Sequence, residues 1–285
     1  MPNFSRFQVS SYYDLNTLFY RVFWYTRKSL GIHFGYYDPD VKTHDEAIIR
    51  VNETLAKLAN IKSGEKVLDA GCGVGGSSIW LAKNLNVRAT GITISDIQIK
   101  KAHHYAEMKG VQNKTEFFNR SFENTKFPDR NFDVVWAVES LCHAQDKSVA
   151  MKELFRVLKP GGRLVISDWF QAKEESNSEE RKLLNEFIHG FAVPSIETPG
   201  NFRKILSNTG FIDIKQIDRR KDIKKNLEFG MPRTKRLAIP AKVLPRIFPS
   251  LKGVVMNYYG LLACEKAYEQ GLWTLQAVVA TKPDN

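Results

Sequence analysis

The sequence predicts an α/β fold: a seven-stranded, mostly parallel sheet with helices on both faces. Three observations carry that prediction. Apolar, β-rich runs alternate with helical patterns from residue 65 to about 170. Those runs are rich in Val, Ile and aromatic residues, the makeup of strands covered on both sides. In "VLDAGCGVGGSS" (67–78), a loop with glycines at 71, 73, 75 and 76 joins a strand directly to a helix. Glycine there allows a tight turn and a close approach of backbone to a ligand. The helix that follows offers unpaired N–H groups at its start.

The elements follow in order. "EKVLDA" (65–70) is a strand, "SSIWLAKNL" a helix and "VRATGITI" (87–94) a second strand. "SDIQIKKAHHYAEMKG" opens on Ser-Asp, good helix-capping chemistry. "KTEFFNRS" is a third strand and "FDVVWAVES" (132–140) a fourth. "DKSVAMKELFRVLKPGG" is a helix stopped by Pro-Gly-Gly, and "RLVISDWF" (163–170) is a fifth strand. Further on, "TPGNFRKILSNTG" is a capped helix, "FIDIKQIDRR" a sixth strand and "LWTLQAVVATKP" a seventh.

Three segments stand outside this alternation within what reads as a single domain over residues 1–285. Residues 1–45, aromatic and helical in pattern, form an N-terminal cover to a core over 46–170. In the remainder, 171–285, one insertion follows strand five and a larger one, about 220–270, lies between strands six and seven. Ligands of open α/β sheets sit beyond the carboxyl ends of the strands. Insertions leaving that edge are therefore expected to act as lids, the main one bounding a pocket with Tyr258 and Tyr259.

With 43% hydrophobic residues the chain can bury a sizeable core. Cys72, Cys142 and Cys264 lack CxxC spacing, which argues against a zinc site or a disulfide framework, and no metal is expected. "MPNFSRFQVSSYYD" lacks a basic region followed by an apolar one, so a cytoplasmic location is expected. The net charge of +11 is dense over 219–249, a segment suited to an anionic group or a membrane surface. No RNA- or DNA-binding signature accompanies it, so no nucleic-acid partner is expected.

"VLDAGCGVGGSS" resembles the first motif of class I S-adenosylmethionine-dependent methyltransferases, and "GITISDIQ", "FPDRNFDVVWAVES" and "LKPGGRLVISD" continue the resemblance in order. It implies a Rossmann-like fold, S-adenosylmethionine as cofactor and S-adenosylhomocysteine as product. Asp69 would accept hydrogen bonds from the ligand or tie down loop amides. Gly71, Cys72 and Gly73 would carry the methionine part, and a bulky residue at Gly71 is expected to abolish binding while leaving the fold intact. The acidic residue common at the end of the second strand is replaced by Thr93, as in a branch reading G-[VIL]-[TN]-x-[SN]-x-x-Q. Ribose binding then passes to Thr93, Ser95 and Gln98. Ser121 stands where an aspartate commonly meets adenine, and Ser121 and Phe122 would flank that ring.

"VSSYYDLNTLFYRVFW" and "GIHFGYYDPD" resemble the entry of small-molecule methyltransferases such as γ-tocopherol and sterol C-methyltransferases. This implies Tyr13 as a cofactor contact and His33 and Tyr36 as pocket wall. "WAVESLCHAQDK" resembles the segment after strand four of sterol C-methyltransferases, which sets Glu139 and His143 toward the acceptor, as charge stabiliser and as base or hydrogen-bond donor. Trp136, Trp169 and Phe170 are further pocket candidates. The expected acceptor is small and largely apolar. C-methylation of an isoprenoid or sterol-like alkene leads, N- or O-methylation of a specialised metabolite is the alternative, and a nucleic-acid-directed or non-catalytic protein on this fold is the remote one.

Overall fold

A computed structural model of the chain describes residues 4, 8–14, 16, 24, 26–235 and 252–284. Seven strands form one sheet in the order β3-β2-β1-β4-β5-β7-β6. They are β1 (Lys66–Ala70), β2 (Arg88–Thr93), β3 (Thr115–Asn119), β4 (Phe132–Val138), β5 (Leu158–Gln171), β6 (Ile212–Asp218) and β7 (Trp273–Thr281). The first five are parallel; β7 runs antiparallel between β5 and β6. The fold is the Rossmann-like one expected.

Side chains alternate across the pleat, so neighbours in one strand serve opposite cores. Val67, Val134, Trp136 and Val165 face one side. There they pack with α1 (His44–Leu58), α5 (Ser178–Gly190), α7 (Arg220–Lys235) and α8 (Lys252–Glu269). Leu68, Val135, Ala137 and Ile166 face the other side, under α4 (Lys147–Val157) and α6 (Pro199–Thr209). A third cluster lies between α2 (Gly76–Leu85) and α3 (Asp96–Met108).

Two boundaries differ from the sequence reading. Helix α4 ends at Val157, because Pro160 disfavours helical backbone just before it, and the chain enters β5 at Leu158. The N-terminal cover is helical at 8–14, but residues 30–37 are not helical. The amides of Phe34 to Tyr37 turn outward to other elements instead of back along the chain.

The two insertions pack on each other. Helix α5, after β5, crosses α8 so closely that a Cβ on Gly190 would lie 2.3 Å from the Gly260 Cα. Among the described residues, no helix is long and apolar enough to cross a membrane.

Candidate active site

The sheet order reverses between β1 and β4. Strand β1 continues to β2 on one side and β4 to β5 on the other, so a crevice opens between their carboxyl ends. The glycine loop leaves β1 into this crevice, and Glu139 to His143 leave β4 into it from the opposite side. Two cavities meet there. The first is lined by the glycine loop, the end of β2 and residues 120–122 after β3. The second is an aromatic chamber with Trp24, Phe34, Trp169 and Phe191 in its walls. Tyr13, Ile32, His33, Glu139 and His143 line both.

The glycines of the loop have different tasks. Gly71 has φ +102°, and a Cβ there would lie 2.2 Å from the Ser140 Cβ. Its smallness therefore serves packing between the β1 and β4 ends, which corrects the expectation that a bulky residue at Gly71 spares the fold. Gly73 has φ +54°, and a Cβ there would touch no protein atom within 4 Å; it borders the first cavity. Gly71 borders that cavity as well, but only at Gly73 would an added side chain enter it without first meeting protein. Gly73→Val should cost about 1–2 kcal/mol of stability for the left-handed backbone and block S-adenosylhomocysteine binding by occupying the cavity. Gly71→Val should lower the unfolding temperature more. Calorimetric titration and thermal unfolding check both.

Asp69 is buried and accepts a hydrogen bond from the Ser78 hydroxyl at 2.6 Å. Burial pushes its carboxyl up to about 6, against the lowering effect of the Ser78 hydroxyl and amide. It both ties the loop to α2 and borders the first cavity. Thr93 donates to Gln98 Oε1 at 2.7 Å, which leaves the Gln98 amide as the donor on offer to a ligand. Ser95 is committed elsewhere: its hydroxyl caps α3 by accepting from Gln98 N at 3.1 Å and donates to Asp14. It does not border the cavity, whereas Thr93 and Gln98 do. Cys72, Ser121 and Phe122 border it. So does Arg120, which the motifs did not flag and which stacks 4.3 Å from the Phe127 ring.

At the junction, His143 Nδ1 lies 3.1 Å from the Ala192 carbonyl. A carbonyl only accepts, so Nδ1 carries the proton and Nε2 presents its lone pair, 2.7 Å from the Tyr13 hydroxyl. Burial holds this imidazole neutral, lowering its pKa to about 4, and His33 is lowered to about 4 for the same first reason. Glu139 sits at φ +46°, a left-handed conformation rare for a side chain. Its backbone N–H donates to the Ser167 carbonyl at 2.7 Å, and its carboxylate accepts the Phe34 N–H at 2.7 Å. Burial pushes Glu139 well above the ordinary carboxyl range; the Asp168 charge adds to this, and the Phe34 N–H works against it.

Residues 68–166, which contain the glycine loop, Glu139 and His143, match the family described as "Methyltransferase domain". They are a methyltransferase domain. The chain is 38% identical over 202 residues to the sterol 24-C-methyltransferase of Aspergillus fumigatus, covering 70% of this chain and 52% of that protein. It is 29% identical over 269 residues to the chloroplastic tocopherol O-methyltransferase of Arabidopsis thaliana, covering 88% and 76%. The chain thus spans about half the length of the sterol methyltransferases it matches. Among solved structures, a cyclopropane synthase of Mycobacterium tuberculosis superposes with a TM-score of 0.82 at 17% identity over 99% of each chain, a likeness of fold.

Around the methyltransferase domain, the insertions supply the far walls of the chamber, through residues other than those expected. Leu261 of α8 and Gly230, Arg233 and Thr234 of α7 line it. Tyr259, two residues from Leu261, is about 200° away around the helix and is 49% exposed on the outer face. Tyr258 is buried one turn before Leu261 and borders neither cavity. Tyr36 also borders neither: its hydroxyl donates to Ser167 at 2.8 Å and its ring lies under Arg219. Trp169 lines the chamber, while Phe170, next along β5, faces the opposite core. Trp136 is wholly within the core.

The basic segment is partly structural. Arg219 pairs with Asp38 at 3.0 Å and Arg220 donates to the carbonyls of Trp273 and Tyr268. Arg233 reaches the chamber rim, and residues 236–249 of the segment lie outside the described residues. No group of three or more His, Cys, Asp or Glu side chains among the described residues could hold a metal ion.

Proposed function

We propose that this chain transfers the methyl group of S-adenosylmethionine to a small, largely apolar acceptor, with C-methylation of an isoprenoid or sterol-like alkene as the leading reaction. The observation that carries this reading is the meeting of a glycine-lined cavity with an aromatic chamber at one shared wall that holds Glu139 and His143. When bound, the cofactor supplies an electrophilic methyl on a sulfonium. The protein's own residues do the rest. Gly73 leaves room for the methionine part, the Gln98 amide and Thr93 meet the ribose, and Ser121 and Phe122 flank the adenine. Trp169, Phe34 and Trp24 exclude water and hold the acceptor in line. An alkene that gains a methyl becomes a cation, and ring faces with a buried carboxylate favour a cation there. An anionic group on the acceptor would meet Arg233 at the rim.

N- or O-methylation is the second reading, favoured by the His143 Nε2 lone pair, which is oriented to take a proton. The names of the relatives divide along the same line. The experiment is a screen of acceptors with methyl-labelled S-adenosylmethionine beside calorimetry with S-adenosylhomocysteine. Product binding and labelled isoprenoid or sterol-like products are expected. Labelling of amines or phenols alone moves the assignment to the second reading. Absence of product binding at millimolar concentration would sink both, and salt-sensitive RNA binding in its place would favour a nucleic-acid-directed protein.

A further inference from the structure

The backbone N–H groups from Phe34 to Tyr37 are taken by four different partners. Phe34 N donates to Glu139 at 2.7 Å, Gly35 N to Asn226 Oδ1 at 2.7 Å, Tyr36 N to the Ala47 carbonyl at 2.9 Å and Tyr37 N to Asp222 at 2.7 Å. Asn226 is fully buried on α7, and its grip on Gly35 is reciprocal. Its Nδ2 donates to the Gly35 carbonyl at 2.9 Å and to the Asp222 carbonyl at 2.7 Å. A side-chain amide facing a residue in this way acts as a one-residue strand partner and fixes the tilt of both flanking peptides. Gly35 cannot slide toward α1, because a Cβ there would already lie 2.5 Å from the Ala47 Cβ. One turn beyond Asn226, on the same face of α7, Gly230 lines the aromatic chamber.

We infer that Asn226 is a positioning residue for Glu139. By clasping Gly35 from the chamber-side helix, it holds the Phe34 N–H against the carboxyl and sets where that carboxyl lies between the two cavities. The strand alone does not do this, since the Glu139 backbone has already turned out of β4. A buried carboxyl without a donor would be free to swing toward whichever polar group is nearest. The inference rests on the proposed role of Glu139 beside the transferred methyl.

Asn226→Ser keeps a hydroxyl able to bond the Asp222 carbonyl one turn back but is too short to reach Gly35. Asn226→Thr fills more of the site and serves if the serine variant does not fold. In either, kcat should fall about 10²-fold, as small misplacements of reacting groups do, with S-adenosylhomocysteine affinity unchanged. In a Glu139→Gln background the same substitution should cost little more, because a residue acting only through Glu139 has nothing left to position. The infrared band of the Glu139 carboxyl or carboxylate group, identified by its loss in Glu139→Gln, should shift in the serine and threonine variants as the Phe34 hydrogen bond loosens. Additive losses in the double variant, or an unmoved band, would overturn the inference. An unaltered rate in Glu139→Gln alone would instead sink the role of Glu139, and the band shift then decides the clasp by itself.

Discussion

Glu139→Gln should lower the rate of methyl transfer to an alkene acceptor by about 10²–10³-fold, the loss typical of removing one preorganised electrostatic stabiliser. The affinity for S-adenosylhomocysteine should stay where it was. The carboxyl is buried with the Asp168 charge nearby, and both effects press it toward the protonated form; the Phe34 N–H is the main counterweight. A cation arriving in the adjoining chamber reverses that balance, because an opposite charge within a few ångströms favours the ionised carboxylate. Glutamine preserves the volume and keeps a carbonyl for the Phe34 N–H, yet it cannot become an anion or accept a proton to keep. An alkene acceptor would then lose the stabilisation of its cation, and the product mixture should change where the rate survives. A nitrogen or oxygen acceptor served by His143 should lose much less. Single-turnover transfer, with cofactor affinity measured separately, reads the effect. A wild-type rate on an alkene would mean that Glu139 only shapes the junction.

The parts of this architecture legible in the sequence are those set by local chemistry. Alternate residues in "FDVVWAVES" and "RLVISDWF" divide between the two cores, as period-two strands must. Positive φ at 71, 73 and 75 is what the glycines in "GCGVGG" were for. That Gly71, which borders the first cavity, is also packed against Ser140 about 70 residues downstream has no local signature. The same limit explains Tyr258 and Tyr259. "MNYYGLLA" reads as apolar and helical, but only the packing of α8 on α5 decides that Leu261 looks into the chamber and Tyr259 away from it. The bonds of Phe34 to Glu139 and of Gly35 to Asn226 span 105 and 191 residues and have no local signature. Ser95 differs for another reason: its hydroxyl caps a helix and bonds Asp14, and the residue is fully buried away from the first cavity, a placement its sequence neighbours do not reveal.

His143→Ala should separate the two acceptor chemistries. For a nitrogen or oxygen acceptor, loss of the base should cost about 10²–10⁴-fold in kcat; for an alkene, whose proton leaves after the methyl has arrived, the first turnover should be nearly unaffected. The pH dependence gives an independent reading. Burial lowers the imidazole from 6.5 to about 4, so its basic form persists to about pH 4, and heteroatom methylation should fall only as pH drops through that value. The same shift has a consequence for stability. Between pH 6.5 and about 4 the unfolded chain takes up a proton on His143 that the folded protein refuses, so stability falls as pH drops across that window and is unaffected above it. A shift of this size amounts to about 3 kcal/mol at most. His143→Ala should therefore make acid unfolding shallower while leaving stability at pH 8 lower only by the lost packing and the bonds to Tyr13 and Ala192. Chemical denaturation at pH 8 and pH 5, read beside the rates, distinguishes a base from a packing residue. Undiminished turnover on amines and phenols would leave His143 a purely structural part of the wall, whereas equal stability losses at both pH values would mean that burial does not hold its imidazole neutral.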